Sequence, residues 1–127
     1  MSMYYSELAL DHAESPRNVG TIQDADGTGA EMNPVCGDLL TLFIKVEDNR
    51  VADAKYQVQG CLGAVAASSI LTELLIGSSL EEAERLDHQS VLDALGGLPA
   101  SKLHSAALAA GVLKKALADY RSKHNRH

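Results

Sequence analysis

Four side chains invite a chemical reading before the rest of the chain is considered. Asn33-Pro34-Val35-Cys36-Gly37-Asp38 sets a thiol and a carboxylate on either side of a glycine that lets the backbone turn sharply. The other cysteine, Cys61, falls at an expected strand-to-helix joint, and His104 lies later, at the head of the last helical stretch. Two soft thiolates with one imidazole and one carboxylate suit zinc or iron in preference to calcium or magnesium. The expectation is a metal or iron–sulfur site assembled from three loops.

Each of these residues also has a plainer reading. A free cysteine is commonly a small buried hydrophobe, but Cys36 lies beside Pro34, Gly37 and Asp38, on a loop and outside any hydrophobic run. At Cys61 the backbone N–H groups and positive dipole end of a starting helix suit a thiolate. Asp38 either ligates or braces the Cys36 loop, as Asp beside Gly often does. His104 is one of five histidines; His12, His88, His124 and His127 lie in contexts that point to solvent. No C-x-x-C, no glycine-rich phosphate loop and no Ser–His–Asp order is present. Residue types and spacing therefore stop at two thiols, an Asp and a His able to converge.

Elements must bring them together. Leu39 to Val46 alternates, with Leu40, Leu42, Ile44 and Val46 on one face, and reads as a half-buried strand whose second face keeps some apolar character from Leu39 and Phe43. After a turn at Glu47-Asp48-Asn49-Arg50, Val51 to Gly60 alternates again, with Ala52, Ala54, Tyr56 and Val58 on one side, completing an antiparallel hairpin. Residues 29 to 33 add a third strand leading into Cys36. From Leu62 to Leu75 the apolar positions Leu62, Val65, Ala66, Ile70 and Leu74 take helical spacing, and Gly77 closes that helix. Ser79-Leu80-Glu81-Glu82 is a capping box, Ser90 to Leu95 is a turn or two, and the final helix spans Ser101 to Lys123. Its expected buried stripe is Leu103, Ala107, Ala110, Leu113, Leu117 and Tyr120. At the other end, Tyr4, Leu8 and His12, with Tyr5 and Ala9 beside them, make a short amphipathic helix to Glu14, ended by Ser15-Pro16. Arg17 and Asn18 offer hydrogen-bond partners to the backbone of the loop that follows. The order helix, strands, helices predicts an α+β fold: a three-stranded, mostly antiparallel sheet with helices on one face.

Composition bounds the function. A chain of 127 residues, 46% apolar and 22% charged, makes one globular domain over 1–127. With one Phe, four Tyr and no Trp, the core must come from Leu, Val, Ile and Ala, and no base-stacking platform is apparent. A net charge of −6 argues against nucleic acid. Lys114, Lys115, Arg121, Lys123 and Arg126 gather at the end, where they face the negative end of the last helix dipole or form a docking patch for an acidic partner. No stretch approaches a membrane span and Met1 to Leu10 shows no secretory leader. The expected location is cytoplasmic, where thiols stay reduced.

From Tyr5 to Lys123 the chain resembles the IscU/NifU-type iron–sulfur cluster assembly scaffolds. The likeness rests on Asp11-His12, Ser15-Pro16-Arg17-Asn18-Val19-Gly20, Pro34-Val35-Cys36-Gly37-Asp38, Gly60-Cys61, Leu98-Pro99, Lys102-Leu103-His104 and Ala118-Asp119-Tyr120. The resemblance implies a scaffold rather than an enzyme. A [2Fe–2S] cluster is built on it with sulfur from a cysteine desulfurase and passed to recipient apoproteins, and several members bind zinc at the same position. It implies that Cys36, Cys61, Asp38 and His104 hold the metal or cluster, with Asp38 tied to cluster lability and Lys102 nearby.

The chain also departs from that family. The third cluster cysteine, expected directly after the histidine, is Ser105. A serine hydroxyl ionises too reluctantly to replace a thiolate and cannot carry a persulfide, so one of three thiolates is missing. The family's Leu-Pro-Pro-Val-Lys segment, presented to an Hsp70-type chaperone, is here Leu98-Pro99-Ala100-Ser101-Lys102, which puts chaperone recognition in doubt. The span from Cys61 to Ser105 leaves no room for the insertion of the zinc-binding SufU type. The expectation is a variant scaffold, and the alternative is a divergent zinc-binding or interaction protein that no longer assembles clusters.

Overall fold

The computed structural model describes residues 5–34 and 37–124. Strands β1 (Gly27–Asn33), β2 (Asp38–Glu47) and β3 (Arg50–Gln59) form an antiparallel sheet in the order β1-β2-β3. Alternation carries Leu40, Leu42 and Ile44 into the core, as their spacing predicts. The β2–β3 turn places Asp48 and Asn49 at positive φ, the backbone that a two-residue hairpin loop requires and that Asp and Asn tolerate. Just beyond it the register slips: Lys45 pairs with Asp53 and Val46 with Val51, so Ala52 is the extra residue of a bulge. The expected face of β3 is corrected accordingly. Val51 is buried and Ala52 exposed, while Ala54 and Tyr56 face inward as expected.

Helices α2 (Leu62–Leu75) and α5 (Leu103–His124) lie on one face of this sheet, and α1 (Glu7–Glu14) and α4 (His88–Leu95) pack against them. α3 (Leu80–Glu84) is a short link opened by the predicted capping box at Ser79 and Glu82. α4 begins two residues before the expected Ser90, because Asp87 caps it, and it ends on Gly96 in the left-handed conformation.

Two helical stripes differ from expectation. α2 is buried nearly all round, with Leu62 exposed at its start and Ser68, Ser69 and Thr72 buried. It is enclosed by the sheet, α1, α4 and α5, so no single periodic face describes it. On α5, Leu103 and Ala107 are exposed and the inner face is Ala106, Leu108, Ala109, Ala110, Val112, Leu113, Ala116 and Leu117, with Ala110, Leu113 and Leu117 buried as expected. That face is rich in alanine because α5 lies almost directly on β1. A Cβ added at Gly29 would meet the Val112 carbonyl at 2.5 Å and the Ala116 nitrogen at 2.6 Å.

α1 starts at Glu7 on the Ser6 cap; Tyr4, expected within it, lies outside the described residues. Leu8 faces solvent, whereas His12, expected in solvent, is buried. Its Nδ1 meets Ser69 Oγ at 2.6 Å and its Nε2 lies 3.2 Å from Glu73. Ser69 also accepts the Arg17 N–H, and Asn18 donates to Thr72, so the Ser15–Gly20 stretch is fastened to the buried polar groups of α2. Within it Val19 bridges in parallel to Tyr56 and covers part of the β3 edge.

At the far end of α5, Lys115, Arg121 and Lys123 each face a carboxylate, that of Glu31, Glu84 and Asp119 respectively. These pairs take three cations from the docking-patch alternative; Arg126 and His127 lie outside the described residues. No helix among the described residues is long and apolar enough to cross a membrane.

Candidate metal centre

Antiparallel pairing brings the end of β1, the start of β2 and the end of β3 to one rim of the sheet, where Asn33 pairs with Asp38 and Leu39 with Gln59. Gly60 leads from that rim into Cys61, the N-cap of α2, whose side chain makes no capping bond and stays available for the site. The start of α5 delivers His104 to the same place after the Ala100–Lys102 turn.

Asp38, Cys61 and His104 each offer a ligand atom, and these atoms all lie within 4.8 Å of one another. The two oxygens of the buried Asp38 carboxylate divide the work. Oδ1 accepts the Cys61 N–H at 3.3 Å. Oδ2 accepts from the Cys61 thiol at 3.6 Å and lies 3.9 Å from His104 Nε2. Bracing and facing the ligand position, left open by the sequence, are therefore both present in one side chain. Cys36 lies outside the described residues; Pro34 and Gly37, on either side, belong to the β1–β2 connection.

The approach of these groups depends on two small residues. A Cβ at Gly60 would sit 2.5 Å from Asp38 Oδ1, and one at Gly63 would sit 2.9 Å from Ser105 Oγ. Ser105, one residue past His104, is 1% exposed, with its hydroxyl 3.8 Å from Cys61 Sγ.

Tyr5 belongs to this neighbourhood and was not singled out from sequence. Its phenol is held above the ordinary tyrosine range by burial first and by negative charge at Cys61 second, against opposing pulls from Lys102 and the Gly63 backbone. The only sequence signal was its place beside the apolar face of α1. A cleft of about 240 Å³ opens alongside, lined by Glu31, Met32, Pro34, His104, Ala107 and Leu108.

A buried carboxylate, a thiol and an imidazole converging at a rim form a mixed oxygen, sulfur and nitrogen donor set. Such a set suits zinc and iron, and it lacks the many oxygens that calcium requires.

Comparison with known proteins gives the same direction. The family model described as NifU-like N terminal domain matches residues 4–127. The chain is similar to iron-sulfur cluster assembly scaffold protein IscU 1 of Archaeoglobus fulgidus, at 50% identity over 96% of this chain and 80% of that protein. It is also similar to iron-sulfur cluster assembly scaffold protein IscU of Haemophilus influenzae, at 45% identity over 95% of this chain and 98% of that one. Among solved structures, a nitrogen-fixing NifU-like protein (N-terminal) from Brucella abortus superposes with a TM-score of 0.77, covering 93% of this chain and 94% of that chain at 17% identity, a likeness of fold.

Proposed function

The chain belongs to the NifU-like N-terminal domain family, and from that premise we propose that it is a variant iron–sulfur cluster assembly scaffold rather than an enzyme. In this reading Cys36, Asp38, Cys61 and His104 hold iron or a [2Fe–2S] cluster as cargo. A cysteine desulfurase supplies the sulfur, and recipient apoproteins accept the finished cluster. The observation that carries the reading is the convergence of Asp38, Cys61 and His104 at one rim, within reach of a single ion.

The chain's own groups have separable roles. Asp38 Oδ2 stands where it can take the Cys61 thiol proton as the sulfur becomes a ligand. Its other oxygen holds the Cys61 backbone, so the sulfur stays at the rim during loading and release. His104 supplies a nitrogen donor that leaves more easily than a thiolate, which favours delivery over storage.

Anaerobic incubation with iron, sulfide and reductant tests this. The expected result is sulfur-to-iron charge-transfer absorption, lost in Cys36→Ala and in Cys61→Ala, and transferable to an apo-ferredoxin. Zinc is the second reading, favoured by a donor set with one thiolate fewer than the family's, which still completes a tetrahedron with Cys36. Under the same treatment that reading expects a colourless protein keeping one zinc that iron and sulfide do not displace.

A further inference from the structure

We propose that Ser105 is a positioning residue for the Cys61 sulfur: its hydroxyl donates a hydrogen bond to that sulfur and is not itself a ligand. The inference rests on the reading of Cys61 as a metal or cluster ligand. It assigns to the serine a role of its own in place of a simple loss of a thiolate.

Ser105 Oγ is enclosed. The residue is 1% exposed, and the oxygen rests against the Cα of Gly63, where a single added carbon would fall 2.9 Å away. A buried hydroxyl hydrogen needs an acceptor, and among the described residues its oxygen contacts the Cys61 sulfur, 3.8 Å away at the long end of an O–H···S contact in which either atom could donate. The thiol proton is directed at Asp38 Oδ2 on the other side. The sulfur lone pairs are thereby left to the serine, giving the order Ser105 O–H, Cys61 S–H, Asp38 carboxylate. Once the thiol proton leaves and a metal binds, the sulfur is a stronger acceptor for the serine hydroxyl. An alkoxide ligand would instead require a hydroxyl proton to be removed in a nearly closed pocket beside a buried carboxylate, where a second negative oxygen is disfavoured.

A hydrogen bond to a ligand sulfur withdraws electron density from it. It raises the energy of sulfur-to-metal charge transfer and moves the reduction potential of an iron–sulfur centre upward. The test uses the full chain loaded with cobalt(II), and in parallel with a reconstituted cluster. Ser105→Ala should shift the thiolate-to-cobalt band to longer wavelength and the cluster midpoint potential to more negative values, with cobalt affinity changed by less than about tenfold. Ser105→Thr, which keeps the hydroxyl, should restore both. Gly63→Ala, which leaves the serine in place but displaces its oxygen, should reproduce the Ser105→Ala shifts. An unshifted band and potential in Ser105→Ala would overturn the proposal. So would a fall in affinity beyond about a hundredfold with altered cobalt d–d bands, since that marks a lost ligand. If the native protein shows no thiolate-to-cobalt band at all, the failure is that of the ligand reading itself.

Discussion

Gly60 shows how far the candidate site depends on the absence of a side chain. Its Cα faces the Asp38 carboxylate so closely that a methyl group would fall 2.5 Å from Oδ1 and 2.7 Å from Cγ. Gly60→Ala therefore has to push Asp38 away from the Cys61 N–H that it holds. We expect cobalt or zinc affinity to fall by about 10–100-fold, as when an outer partner of a metal ligand is lost, with the helical circular dichroism unchanged; a competition titration against a chromophoric chelator reads it. At this scale much was legible. The Cys-Gly-Asp and Gly-Cys pairs pointed to residues that do meet, in Asp38 and Cys61, and His104 joined them. The division of labour between the two Asp38 oxygens was not legible, because it depends on the register that sets Asp38 opposite Asn33 and near the β3 end.

Among the elements, the tie between α1 and α2 has the clearest energetic consequence. His12 Nδ1 hydrogen-bonds with Ser69 Oγ while Nε2 faces Glu73, so both nitrogens of the neutral ring have a partner. Burial, and then the nearby Arg17 cation, hold its pKa below the ordinary histidine value of 6.5. Below that value the unfolded chain binds a proton that the folded chain resists, so this contribution is fully present above about pH 6.5 and is lost as pH falls through the folded pKa. A melting temperature that declines between about pH 7 and pH 5 should flatten in His12→Gln. The depressed carboxylates of Asp11, Glu82 and Asp119 act lower, below about pH 4. His12→Ala should cost about 1–3 kcal/mol in a urea titration, as expected when buried partners lose a hydrogen bond. Sequence periodicity placed His12 on the apolar side of α1, yet its polarity argued for solvent. What decided the matter was Ser69 and Glu73, far along the chain on a helix whose own polar residues turn inward, and no local pattern reveals such a pairing.

The molecule as a whole sets its three converging polar side chains among exposed leucines. Leu39 follows Asp38, Leu62 follows Cys61 and Leu103 precedes His104, and these leucines are 41%, 53% and 42% exposed. Helical period places Leu103 in the core; it is exposed instead, as the first residue of α5. In the proposed scaffold reading, a sulfur donor docking at Cys61 covers these side chains. Leu62→Ser combined with Leu103→Ser is thus expected to weaken binding of a cysteine desulfurase by about tenfold, measured by calorimetry, with little change in thermal stability since neither side chain is buried.

The seam of backbone against backbone between β1 and α5 bears on that rim from a distance. With Gly29 touching the helix at Val112 and Ala116, no layer of side chains separates the two there, and His104 stands in the first turn of that same helix. A methyl group at position 29 would push strand and helix apart, so Gly29→Ala should disturb metal capture as well as melting temperature, although its contacts are with Val112, Lys115 and Ala116 and not with the candidate site. The imidazole is thus the one donor of the three whose setting is fixed by a seam on the far side of the sheet end.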